Sequence, residues 1–224
     1  MLGLFRYNIT TLLISVPVTL IALTIHECAH GWVSSRLGDP TPRIQGRMTL
    51  NPLAHLDIMG TILMILTGFG WAKPVQVNPM YYKDRKKGMA LVALAGPLSN
   101  LFMAFLAVIL QGVVLLLAYW LNLSGGGLRV IYNFFEFFAV RNLCFAVFNL
   151  IPIPPLDGAK VLGMFLPDRT YYTMLQYERY FMIAIMVLSL TGAFSAVIGT
   201  GVSFFYDWMA KLVNAFIGIF IKVV

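Results

Sequence analysis

From Ile9 to Ile25 the chain carries no charged side chain, and from Met89 to Leu121 it again carries none. A helix bathed in water does not stay uncharged over such lengths. A bilayer core, in contrast, takes about 20 consecutive apolar residues, and any backbone inside it must satisfy its own hydrogen bonds. Wherever the chain crosses, it is therefore expected to be helical. Composition agrees, with 59% of the 224 residues hydrophobic and 11% charged. A soluble domain carries about 25% charged residues. The expectation is an all-α polytopic membrane protein forming one integral membrane domain over residues 1–224, with no soluble appendage. About five or six transmembrane helices fit the apolar runs, together with a re-entrant segment and short β-strands at the membrane surface.

The first span is expected from about Thr10 to Leu37, stopped by Gly38-Asp39-Pro40. Arg6 ahead of an apolar run looks like the start of a signal peptide. The run is too long for one, so a retained anchor is expected. Alternation over Arg43–Leu50 predicts a short strand. The apolar stretch from Ile58 to Trp71 is too short to span comfortably and contains Gly60, Gly68 and Gly70, which predicts a re-entrant segment. Trp71 to Pro79 reads as a second extended piece. Long spans follow at about Met89–Leu121 and Leu128–Asn149. The second of these carries Glu136, Arg141 and Asn142, which must face protein or a wet cavity. Pro152, Pro154 and Pro155 cannot continue a helix, so the segment from Asn149 to Gly158 must be extended and sheltered from lipid. Lys160 to Arg179 reads as interfacial. Two last spans, about Tyr180–Ile198 and Thr200–Val223, are expected to join at Gly199-Thr200-Gly201.

Arg36, Arg43, Arg47, Lys73, Lys83, Arg85, Lys86 and Lys87 fall in the two loops around the re-entrant segment. The positive-inside rule places them in the cytoplasm and the N-terminus outside. The net charge of +7 then belongs to cytoplasmic loops beside anionic headgroups of the lipid bilayer. No nucleic-acid motif accompanies it.

Chemistry is concentrated in His26-Glu27-Cys28-Ala29-His30. Residues four apart share a helix face, so both imidazoles can reach one metal ion, with Glu27 beside a water bound to it. These are two of the three histidines in the chain. Burying them near hydrocarbon without a function is costly. Cys28 and Cys144 give no disulfide framework and read as small core residues. A catalytic zinc takes three protein ligands and keeps one position open. A third histidine six residues beyond His30 is excluded, because Arg36 stands there. Of the remaining carboxylates Asp157 is the best candidate, on the proline-forced break and on the same expected membrane face. Alone it would read as a helix cap; beside a metal motif the ligand reading prevails. His55 and Asp57 read as a turn hydrogen-bonded pair. The competing class is a non-catalytic scaffold or a metal-binding transporter. A dead scaffold should have lost Glu27 or Asp157. A transporter should show polar ligands along a path, whereas the carboxylates here lie mainly at one end, Glu136 excepted.

The chain resembles the site-2 protease family of intramembrane zinc metalloproteases. The resemblance rests on His26-Glu27-Cys28-Ala29-His30, on Gly96-Pro97-Leu98-Ser99-Asn100, and on Asn149 through Asp157-Gly158. Gly38-Asp39-Pro40, Asn51 to Asp57 and Gly70 to Val75 are similar to a compact prokaryotic branch without a PDZ or CBS domain. The resemblance covers about residues 10–165, leaving C-terminal helices at about 178–224. It implies one Zn2+ per chain on His26, His30 and Asp157, Glu27 as the base, and Asn149 holding substrate or stabilising the oxyanion. It also implies transmembrane proteins or peptides as substrates and a prokaryotic cell (inner) membrane, with the active site near the cytoplasmic face. Without a sensor domain, control would rest on substrate supply, an earlier cut or a regulatory membrane partner. Cys28 stands where an aromatic residue is common, and Arg141 stands in a usually apolar stretch.

Overall fold

The computed structural model describes residues 9–67, 73–123 and 125–221. Its regular elements are α1 (Ile9–Arg36), α2 (Thr41–Ile44), α3 (Ile58–Thr67), α4 (Arg85–Trp120), α5 (Gly126–Asn149), α6 (Asp157–Gly163), α7 (Asp168–Gln176), α8 (Glu178–Thr191) and α9 (Ser195–Ile221). Short 3-10 turns cover Pro52–His55 and Pro79–Tyr81.

Helix α4 is the central post, touching α1, α5, α6 and α9. Its buried face is built of small residues, among them Ala90, Ala93, Gly96, Ala104 and Ala107. Small side chains let neighbouring backbones come close, which is how helices associate where no water drives them together. The core joins Val18 of α1, Ala104, Ala107 and Val108 of α4, Phe138, Ala139 and Leu143 of α5, and Met209, Val213 and Ile217 of α9. Among the described residues α4 and α5 are long and apolar enough to cross a membrane. Both also turn large apolar side chains outward, including Phe102 and Leu117 on α4 and Val130 and Ile131 on α5. Such a surface matches lipid better than water.

Three sequence expectations are corrected. No strand forms over Arg43–Leu50: Thr41–Ile44 is helical, with Pro40 at its N-cap and Pro42 in its first turn. Proline pre-sets the helical φ at a helix start, and here that local preference overrides the alternation. The second extended piece, expected over Trp71–Pro79, runs without regular structure over residues 73–78; Trp71 and Ala72 lie outside the described residues. The last two helices are separated at Gly192, where φ is 79°, and not at Gly199–Gly201, which lie inside α9. The stretch expected to re-enter begins as α3, capped by Asp57 Oδ1, which accepts from the Gly60 N–H at 2.8 Å. Its end, Gly68 to Trp71, lies outside the described residues. His55 and Asp57 do not pair with each other. The His55 ring instead donates from Nε2 to the Thr49 carbonyl at 2.9 Å.

Asp39, 1% exposed, ties the end of α1 to the irregular segment that follows residue 72. Its Oδ2 accepts from Ser34 Oγ at 2.7 Å and from the Asn78 N–H at 2.7 Å, and its Oδ1 accepts from the Thr41 N–H at 2.9 Å. Ser34 Oγ also meets the Tyr82 hydroxyl at 2.8 Å. Burial pushes the carboxyl up, but the hydrogen bonds from Thr41, Asn78 and Ser34 outweigh it and hold Asp39 below the ordinary carboxylate value. A depressed folded pKa gives stability that is present above the ordinary value of about 4 and lost as pH falls through the folded one. Asp39→Ala strands three donors and is expected to cost about 2 kcal/mol. Thermal unfolding in detergent reads that loss, and limited proteolysis should cut faster between residues 73 and 82. An unchanged melting profile and cleavage pattern would contradict this role.

Candidate metal centre

One turn of α1 separates His26 from His30, and their rings meet edge to face with centroids 4.6 Å apart. Both are buried. The chain reaches them again after α5. There the proline-rich turn bonds to itself, with the Ile153 N–H on the Ile151 carbonyl at 2.8 Å and the Leu156 N–H on the Ile153 carbonyl at 3.0 Å. A β-carbon at position 158 would collide with the Leu150 and Ile151 carbonyls. Glycine there lets the turn fold tightly and start α6 with Asp157, itself buried. Asp157 Oδ2 then lies 3.2 Å from His26 Nε2 and 3.2 Å from His30 Nε2.

The outer atoms of the cluster are all engaged. His30 Nδ1 lies 2.7 Å from the Val92 carbonyl. A carbonyl only accepts, so His30 carries its proton on Nδ1. His26 Nδ1 lies 2.6 Å from Asn100 Oδ1, and it too donates. Neutral rings in these tautomers aim Nε2 lone pairs at a carboxylate oxygen. Three lone pairs at this spacing repel unless a cation sits among them. Protons on both rings would serve; so would one metal ion. The three donor atoms lie within 4.8 Å of one another. Ligands at about 2.0–2.1 Å from a tetrahedral zinc stand about 3.3–3.4 Å apart, close to the observed imidazole–carboxylate separations. Lys160 Nζ holds the other carboxylate oxygen, Asp157 Oδ1, at 3.3 Å. Gly96 of α4 backs the cluster. A β-carbon there would stand 2.5 Å from Nε2 of both histidines.

A cavity of about 150 Å³ opens on this cluster, lined also by Glu27, Asn149, Lys160, Pro74, Val75 and Val77. Glu27 Oε2 accepts from the Val75 N–H at 2.9 Å. Asn149 reaches the cavity while its Nδ2 donates to the Phe145 carbonyl at 3.0 Å. All five residues singled out from the sequence therefore border one cavity. Lys160, Asn100 and the Val75 N–H were missed. Lys160 carried a signal, three positions after Asp157 on a helix, whereas the other two depend on how distant segments pack. Arg141 stacks over Phe137, 5.3 Å from the ring centroid, and is not among the cavity-lining residues.

The model of Peptidase family M50 matches residues 126–193, which include Asn149 and Asp157. Along nearly its whole length, the chain is also 38% identical to the Bacillus subtilis protein named "Putative zinc metalloprotease YwhC", over 214 residues that cover 96% of this chain and 94% of that one. The chain belongs to peptidase family M50, the site-2 protease family. Another relative, "Putative zinc metalloprotease Rip2" of Mycolicibacterium smegmatis, is 29% identical over 84% of this chain and 71% of its own length. "Putative zinc metalloprotease MJ0611" of Methanocaldococcus jannaschii is 30% identical over 70% of this chain and 73% of its own. No solved structure matches significantly.

Gly96→Ala tests the packing of the cluster. Alanine is the better helix former by about 1 kcal/mol, yet its methyl group would force the imidazoles away from each other's ligand positions. Divalent metal retained after dialysis is expected to fall at least about tenfold, as for other losses of ligand support. Metal retention equal to that of the unsubstituted protein would contradict the close approach of α4.

Proposed function

We propose that this M50 member is an intramembrane zinc metalloprotease that hydrolyses peptide bonds within or near transmembrane segments of membrane-protein substrates. The observation that carries the reading is the meeting of two Nε2 lone pairs and one carboxylate oxygen beside a glutamate, at a cavity that Asn149 and Lys160 also line. Zinc, one ion per chain, is the metal this donor set fits best, with two imidazoles and a carboxylate as three protein ligands. Bound there, it supplies a Lewis acid that polarises a carbonyl oxygen and brings the pKa of water to about 7.

The residues around it divide the remaining work. Glu27 accepts the proton of the attacking water and passes it to the departing amide nitrogen. Asn149 turns its amide from Phe145 toward the substrate carbonyl, where a donor steadies the developing negative charge. Lys160 keeps Asp157 Oδ1 occupied, so that Oδ2 alone faces the histidines. The cavity is far too small for a substrate helix, which is about 10–12 Å across with its side chains. The scissile stretch must therefore unwind first. Substrate spans with Gly, Pro or polar residues near the cut are preferred on this ground. The Val75 N–H is a neighbour such an extended segment would meet on entering.

Orientation follows from charge. The basic residues Arg36, Arg43, Arg47, Lys83, Arg85, Lys86 and Lys87 flank the His26–His30 end of α1 and the start of α4. By the positive-inside rule that end is cytoplasmic and the N-terminus of this multi-pass chain lies outside, in a prokaryotic inner membrane. A regulatory membrane partner is part of the same proposal.

Glu27→Gln keeps shape and removes the base. Zinc content should match that of the unsubstituted protein, while cleavage of a membrane-embedded test substrate falls by about 10²–10⁴-fold. A chelator should abolish cleavage by the unsubstituted protein, and added zinc should restore it. Undiminished turnover by Glu27→Gln contradicts the assignment of the base.

A further inference from the structure

Two buried amides inside the helix bundle have no part in the reaction outlined above. Asn100 of α4 and Asn142 of α5 are each 0% exposed. Burying a primary amide among apolar helices is costly unless every polar atom finds a partner, so their bonding has to be accounted for. Asn142 Nδ2 donates to the Phe138 carbonyl at 2.9 Å, which leaves its Oδ1 as an acceptor. Asn100 Nδ2 donates to that Oδ1 at 2.9 Å and to the Ala22 carbonyl at 3.1 Å. Asn100 Oδ1 is thereby turned toward His26 Nδ1, at 2.6 Å.

The direction of this chain of bonds is forced. Backbone carbonyls cannot donate, so Phe138 fixes the orientation of Asn142, and Asn142 with Ala22 fixes that of Asn100. Turning the Asn100 amide over would face its oxygen toward two acceptors and its NH2 toward the ring. Only one arrangement satisfies every atom, and in it His26 carries its proton on Nδ1 and bares Nε2 toward Asp157. His30 obtains the same tautomer from a backbone carbonyl, which no substitution at position 92 removes. His26 alone depends on side chains.

We propose that Asn100 and Asn142 form a two-amide relay that fixes the tautomer and ring orientation of His26 and thereby sets the affinity of the metal site. Asn100 is a positioning residue, and Asn142 acts through it from a helix that contributes no ligand in its own span. This deepens the zinc reading of the site and rests on it. A partner on the far nitrogen of a metal-bound histidine typically matters 10–100-fold in metal affinity.

The test uses the full-length protein in detergent, with zinc dissociation constants from chelator competition and visible absorption of the cobalt-substituted form. Asn100→Leu should weaken zinc binding by about 10–100-fold and alter the cobalt bands. Asn142→Leu, which touches no metal ligand, should weaken it in the same direction by less. The double variant should be no weaker than Asn100→Leu, because one residue works through the other. Should Asn100→Leu fail to fold, Asn142→Leu still decides the matter. Zinc affinity and cobalt bands unchanged in Asn142→Leu overturn the relay while leaving the proposed protease intact. An unsubstituted protein that binds no zinc overturns both.

Discussion

Like-charged electron pairs pointed at one another are the constraint that the rest of this fold serves. Two imidazole nitrogens and one carboxylate oxygen are held at 3.2 Å contacts, a geometry that is unfavourable without a cation and favourable with one. Holding it requires rigid surroundings on every side. Helix α1 sets the spacing of the two rings. Helix α4 presents a glycine where any side chain would push them apart. The proline turn after α5 delivers Asp157 and satisfies its own backbone as it does so.

Each member of the cluster is gripped from behind by a partner of its own. Asn100 on α4 takes His26, the Val92 carbonyl takes His30, and Lys160 on α6 takes Asp157. The central position of α4 follows from this division, since it supplies two of the three supports and the glycine. The part of the lining that comes from Pro74, Val75 and Val77 is built differently. Residues 73–78 have no regular structure and are tethered by single hydrogen bonds, from the Lys73 N–H to the His55 carbonyl, from the Val75 N–H to Glu27, from Gln45 to Gln76 and from the Asn78 N–H to Asp39. A rigid ligand cage facing a wall held by a few hydrogen bonds suits a site that must admit a strand of substrate.

Much of the site was legible because its information is local. The spacing of His26 and His30 encodes a shared helix face whatever the tertiary fold. The three prolines before Asp157 announce a break that a membrane protein cannot leave exposed. The first three long helices, α1, α4 and α5, could be placed to within a few residues from their apolar runs. What could not be read is what depends on packing between distant segments. Nothing in Gly96-Pro97-Leu98-Ser99-Asn100 says that the asparagine will lie under His26. Nothing near Val75 says that its N–H will reach Glu27. The expected strand at Arg43–Leu50 failed for a local reason, Pro40 and Pro42 just before it, which start a helical turn that runs into its first two residues. The hinge between α8 and α9 was misplaced because Gly199 and Gly201 resemble a turn, whereas Gly192 alone takes the left-handed conformation that ends α8.

X-ray absorption at the zinc edge, recorded on the purified full-length protein and on Asp157→Ala, bears most directly on the shared ligand cage. The expected spectrum has one zinc per chain with two imidazole nitrogens and carboxylate oxygen at about 2.0–2.2 Å, and a first shell that loses an oxygen or the metal altogether in Asp157→Ala. A sulfur shell near 2.3 Å, or a spectrum indifferent to the loss of Asp157, would contradict a metal held jointly by α1 and the proline turn.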